Sequence, residues 1–90
     1  MLLFYVDSMT VSAYIFFTVE LGKTSNVVNE LRKIPEITRV AVVTGEYDII
    51  ARIKTKNLEE KYLISTERIH MIDGIIDTQT AVIEKEEISG

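Results

Sequence analysis

The sequence predicts an α+β domain of ferredoxin-like βαββαβ topology, a four-stranded antiparallel sheet with two helices on one face. Three observations predict it. Two β-branched apolar stretches, Ile37–Val43 and Ile49–Ile53, flank the short polar stretch Thr44-Gly45-Glu46-Tyr47-Asp48, which reads as a hairpin. Val11 to Leu21 alternates with the period of a strand. The chain also repeats at an offset of 38 residues: Val11, Ala13 and Ile15 correspond to Ile49, Ala51 and Ile53, and Leu31, Ile34 and Ile37 to Ile69, Ile72 and Ile75. Each half is strand, helix, strand, and right-handed crossovers put both helices on one face. The expected order across the sheet is fourth, first, third and second strand.

In the first strand, Val11, Ala13, Ile15, Phe17, Val19 and Leu21 take one face, and Ser12, Tyr14, Phe16, Thr18 and Glu20 the other. The first set is a core face. The second is unusual, because Tyr14 and Phe16 put large rings on it; the simplest cover is another subunit. Gly22 breaks the strand. Thr24 or Ser25 is placed to cap a helix running to about Ile34, with Val27, Val28, Leu31 and Ile34 on its apolar stripe, and Pro35 stops it. The second strand is Ile37–Val43.

Gly45 tolerates φ > 0, and Asp48 can hydrogen-bond nearby backbone, so this stretch makes a turn. It also gathers a ring, two carboxylates and a hydroxyl, as a loop holding a small polar ligand would. The third strand is expected over Tyr47–Thr55. Asn57-Leu-Glu-Glu60 approximates a capping box opening the second helix, whose stripe reads Leu58, Tyr62, Ile69 and Ile72, with Leu63 beside it. Gly74 ends that stretch. The last strand runs from Ile75 to about Lys85, with Asp77 and Gln79 on one face and Ile76, Thr78, Thr80 and Val82 on the other. Glu84-Lys-Glu-Glu87 reads as a solvated tail.

Ninety residues make one domain with a modest core, which association would help. Residues 1–10 are an extension and a candidate extra strand, 11–86 the domain, and 87–90 a tail. Met1–Val6 is apolar, but Asp7 interrupts it and no basic segment precedes it, so neither a signal peptide nor a membrane span is expected. The chain is 47% hydrophobic and 27% charged, which is globular. No cysteine is present, in keeping with a reducing cytoplasm. A net charge of −4 disfavours nucleic acid and anionic lipid. RNA-recognition modules share the topology, but their third strand carries stacking aromatics; here it reads Tyr47-Asp-Ile-Ile-Ala-Arg-Ile-Lys54. Catalytic signatures are missing: no phosphate loop, no Gly-x-Ser-x-Gly and no histidine pair. The single histidine, His70, reads as a surface or helix-end residue. No catalytic residue, metal or cofactor is expected.

Thr44-Gly45-Glu46-Tyr47-Asp48-Ile49-Ile50 resembles the Thr-Gly-x-Tyr-Asp segment of the effector-binding (RAM) domain of the Lrp/AsnC transcription regulators. Ile72-Asp-Gly-Ile-Ile-Asp-Thr-Gln-Thr-Ala-Val-Ile83 is similar to that domain's closing strand, with Asp73 in place of proline. The resemblance covers about residues 11–86. It implies a ligand site at Thr44, Gly45, Glu46, Tyr47 and Asp48, with Thr78 and Thr80 as further candidates, and an amino-acid effector lying between dimers. It implies dimers formed through the sheet faces, at Tyr14 and Phe16, and rings commonly of eight chains. Only ten residues precede the first strand, too few for a helix-turn-helix, so a stand-alone effector domain without DNA binding is expected, one that could pair with a full-length regulator. The alternative on the same fold is a dimeric α+β barrel enzyme, which would need His70 to line a barrel cavity.

Overall fold

The computed structural model describes residues 10–89, so the extra strand expected in residues 1–10 falls, but for Thr10, outside it. Strand β1 (Val11–Val19) is followed by helix α1 (Thr24–Leu31), β2 (Ile37–Val42), β3 (Ile49–Thr55), helix α2 (Leu58–Ile64), a π-helical turn (Ser65–Ile69) and β4 (Ile75–Val82). The sheet runs β2-β3-β1-β4, all antiparallel, as the repeat requires. The two central strands, β1 and β3, are the two that correspond at the offset of 38.

The core is their shared inner face. Ala13, Ile15, Phe17 and Val19 meet Ile49, Ala51 and Ile53, and Val27, Leu31 and Ile34 cover them from the α1 side. Ile64 and Ile69 close the other side. Burying each large apolar side chain is worth about 1.5–3 kcal/mol, and these twelve positions are the core that orients everything else.

Five expectations are corrected. β1 stops at Val19, and Leu21 is 100% exposed, because the chain turns at Gly22 with φ +84° before α1. Neither Thr24 nor Ser25 caps α1: Thr24 is its first residue, Lys23 is the cap position, and no side chain caps it. The stripe of the second helix is different as well. Leu58, Tyr62 and Leu63 are about half exposed or more, while Ile64, Ile69 and the stem of Lys61 are buried. The π-turn explains this. The His70 N–H donates to the Ser65 carbonyl at 3.0 Å, a five-residue step that brings Ile64 and Ile69 onto the same side. The strand boundaries are shorter than predicted, with β3 beginning at Ile49 rather than Tyr47 and β4 ending at Val82. Lastly, within the solvent-exposed tail one residue, Glu86, is tied to the sheet by its side chain, as described below. The Asn57 half of the capping box is present: its Oδ1 accepts the Glu60 N–H at 2.8 Å.

A bulge in β2 matters for the other face. Ile37 pairs with Ile53 but Arg39 with Arg52, leaving Thr38 as the extra residue. Ile37 and Val40 can then both pack on the core, and Arg39 turns to the helix-free face beside Arg52.

Gly74 precedes β4 with φ +106°, and a Cβ there would stand 2.5 Å from Lys23 Cβ and 3.2 Å from Val27 Cγ2. At Gly22 a Cβ would meet nothing within 4 Å. Gly22→Ala should cost only backbone strain, about 1–2 kcal/mol. Gly74→Ala adds a clash to that strain and should cost at least ~1 kcal/mol more. Urea unfolding of the two variants checks the order.

Candidate functional site: the glycine turn and the open sheet face

The turn between β2 and β3 is tied down from beneath. Val43 N–H donates to the Asp48 carbonyl at 2.9 Å, and Asp48 N–H donates to the Phe17 carbonyl at 2.9 Å. The Asp48 side chain continues the stitching, with Oδ2 accepting the Val19 N–H at 2.8 Å. Asp48 is therefore a half-buried structural acceptor that joins the end of β1 to the turn. Above it, Thr44, Gly45 and Glu46 are exposed. Gly45 has φ +143°, and a Cβ would meet nothing within 4 Å, so the glycine is required by backbone shape and not by crowding.

Tyr47 leaves the turn and lies on the helix-free face. Its ring packs on Phe16 with centroids 5.1 Å apart at 41°, and its hydroxyl donates to Gln79 Oε1 at 2.6 Å. Phe16 and Gln79 are themselves cross-strand neighbours. At the other end of this face, Tyr14 stands opposite Arg52. The Glu86 carboxylate accepts the Tyr14 hydroxyl, and its Oε1 accepts from Arg52 Nη2 at 2.9 Å. Tyr14 and Phe16 thus do share the open face, each half buried.

Thr78 and Thr80 do not join Tyr47. They pair with Phe17 and Ile15, so they stand on the helix side. Thr78 Oγ1 lies 3.4 Å from His70 Nε2, a weak contact, and His70 is exposed rather than set in a cavity. Asp73, where the resemblance has proline, pairs with Lys23 at 2.8 Å and accepts Asn26 Nδ2 on its carbonyl. Two residues of the open face went unnoticed as partners in the sequence. Gln79 was legible, since alternation along β4 puts it on that face. Glu86 was not, being one acid of several in the tail.

The contacts shift two titrations. The hydrogen bond to Glu86 holds the Tyr14 phenol above its ordinary value, with loss of solvent adding to it. The hydrogen bonds from Tyr14 and then Arg52 hold the Glu86 carboxyl below its ordinary range. A depressed carboxyl contributes stability above its unfolded pKa and loses it as pH falls through the folded value. A raised phenol contributes below its unfolded pKa and loses it as pH rises through the folded value. Glu86→Ala should therefore flatten stability at both the acid and alkaline ends and lower the pKa of one tyrosine, read by ultraviolet titration.

No helix among the described residues is long and apolar enough to cross a membrane, and no group of His, Asp and Glu among them is placed to hold a metal. A ferredoxin-like sheet with a glycine turn at its end and an aromatic open face is the build of a small binding domain. The chain belongs to the Lrp/AsnC ligand binding domain family, which matches residues 12–89. A curated relative, the HTH-type transcriptional regulator FL11 of Pyrococcus furiosus, is 39% identical over 75 residues, 81% of this chain and 48% of that protein. The chain spans about half the length of the curated relatives it matches. A crystal structure of a hypothetical protein from Pyrococcus horikoshii superposes with a TM-score of 0.78 at 33% identity, over 84% of this chain and 92% of that one. A Neisseria meningitidis transcriptional regulator in complex with L-Met superposes with a TM-score of 0.81 at 20% identity, over 88% of this chain and 53% of that one; at that identity the likeness is of fold. The family is one of regulatory ligand-binding domains and not of enzymes, which removes the barrel-enzyme alternative and the role it needed for His70.

Proposed function

We propose that this chain is an effector-sensing domain that binds an amino acid or related small molecule at the Gly45–Asp48 turn. The observation that carries the reading is the turn itself, fixed from beneath by Asp48 yet exposed at Thr44, Gly45 and Glu46. Backbone N–H groups near Gly45 suit an effector carboxylate, because glycine allows close approach. Asp48 suits an ammonium as a charge-assisted acceptor, and Tyr47 walls the site. Glu46 is the candidate selector for a basic side chain. Thr78 and Thr80 face the helix side, so they join such a ligand only where a neighbouring chain brings its β4 to the turn. The L-Met complex of the Neisseria protein supports an amino-acid ligand.

In this reading two copies pair through the open face at Tyr14 and Phe16, and pairs assemble into rings, as octamers in the family pattern. An effector between pairs favours one assembly by its differential affinity. The same face offers a way to pair with a full-length regulator and modulate it. The setting is cytoplasmic, and the domain alone does not bind DNA. With a net charge of −4, it should give no shift of duplex DNA at physiological salt, and a sequence-specific shift by the purified protein would overturn that part.

A thermal-shift screen of the twenty amino acids tests the reading. A binder at about 100 times its Kd should stabilise by ~2.7 kcal/mol. Calorimetry then tests Asp48. Asp48→Asn keeps an acceptor for Val19 but removes the charge, and should weaken the ligand by about 1.5–3 kcal/mol, roughly ten- to a hundredfold. Equal affinities would remove Asp48 from the site, and no binder in the screen would leave the turn purely structural.

A further inference from the structure

At one end of the open face the chain's own tail is tied to the sheet through one side chain, that of Glu86. β4 ends at Val82, opposite Ala13, and the Ile83 N–H still donates to the Ser12 carbonyl at 2.8 Å. The chain then turns across the face. Glu86 reaches past β1 to β3, where Tyr14 and Arg52 clasp its carboxylate. Between tail and sheet lies a hollow of about 350 Å³, lined by Tyr14, Thr38, Arg39 and Arg52 of the sheet and by Glu86, Glu87 and Ile88 of the tail. The β2 bulge contributes here: it sets Arg39 level with Arg52, and Arg39 adds to the positive field that holds a carboxylate at this place.

Two sheets pack face to face about 10 Å apart, and their own side chains fill the gap. A tail lying over Tyr14 and Arg52 takes up that gap, so tail and second sheet cannot share this end. We infer that residues 84–89 are a latch that competes with a second copy of this chain for the open face, and that full pairing requires Tyr14 and Arg52 to release Glu86. The inference rests on the open-face pairing proposed above. A second copy fits the face by charge as well as by its rings: Arg39 and Arg52 lie at the Tyr14 end on the β2–β3 side and Asp77 at the Thr18 end on the β4 side, and a two-fold axis running obliquely between these corners sets each over the other's. The latch is suited to release. Arg52 and Glu86 keep 23% and 38% of their side-chain surface in solvent, and an ion pair so exposed is weak and salt-screened. Burial of Phe16, Tyr47 and Tyr14 against a partner opposes it.

Sedimentation velocity of the whole chain over a micromolar concentration series tests this, comparing wild type with Glu86→Ala and Glu84→Ala, the latter at an exposed tail residue that does not line the hollow. Both variants remove one negative charge from the tail, and only the first removes the clasp. The expected result is that Glu86→Ala pairs at a severalfold lower concentration than wild type, while Glu84→Ala pairs like wild type. Unchanged or weaker pairing in Glu86→Ala overturns the latch and leaves open-face pairing standing. An equal gain in both variants also overturns it, as an effect of net charge. Absence of pairing in all three overturns the pairing reading, and the latch with it. Circular dichroism confirms that each variant is folded.

Discussion

β1 lies between β3 and β4, with Ala13, Ile15 and Phe17 fully buried against the helices and Ser12, Tyr14 and Phe16 on the opposite face. A strand's side chains alternate strictly, so burying the first set commits the second to the helix-free side. Every candidate site residue on the sheet inherits that division. Tyr47 lands on the open face and finds Phe16 there. Arg52 comes opposite Tyr14. Thr78 and Thr80, opposite Phe17 and Ile15, are sent to the helix side. A one-residue slip of β1 would exchange all of these at once.

The fold was legible because its strongest signals are redundant. The offset of 38 residues pairs the two central strands, and it pairs Leu31 with Ile69, both completely buried. What escaped was local irregularity. A search at 3.6 residues per turn finds Leu58, Tyr62 and Ile69, and it cannot find Ile64 with Ile69, five apart. That spacing becomes a common face only through the i to i+5 bond at Ser65 and His70. Lys61 escaped for a second reason. Its stem is buried while its ammonium sits 4.2 Å from the Tyr62 ring centroid, so a residue counted as polar fills a core-side position. The Thr38 bulge is equally invisible, yet it alone explains how Ile37 and Val40 both pack inward.

The candidate site was legible by composition and only partly by geometry. Gly45 was expected to need an unusual backbone, and its φ of +143° bears that out. Asp48 was read as a turn residue or a ligand contact; its bond to Val19 shows it to be a structural acceptor first. Thr78 and Thr80 are candidates through the Thr-x-Thr of the closing strand that the resemblance covers, and alternation along β4 separates them from Tyr47. Glu86 could not have been found. Glu84, Glu86 and Glu87 look alike in sequence, and only the path of the tail selects one for Tyr14 and Arg52.

Tyr47 is where the turn and the open face meet. Its backbone belongs to the exposed loop, while its ring and hydroxyl belong to the Phe16–Gln79 cluster. An effector shifts an assembly only by binding its two states unequally. A ligand seated on Gly45 alone would touch nothing that changes when two sheets meet. A ligand walled by Tyr47 would touch a ring that packs on Phe16 of the open face, so under the proposed pairing moving that ring in either event would be felt in the other. The tail reaches the far end of the same face, at Tyr14. In the proposed reading, ligand and tail act on opposite ends of one sheet, and the aromatic row Tyr14, Phe16 and Tyr47 between them is what couples the two.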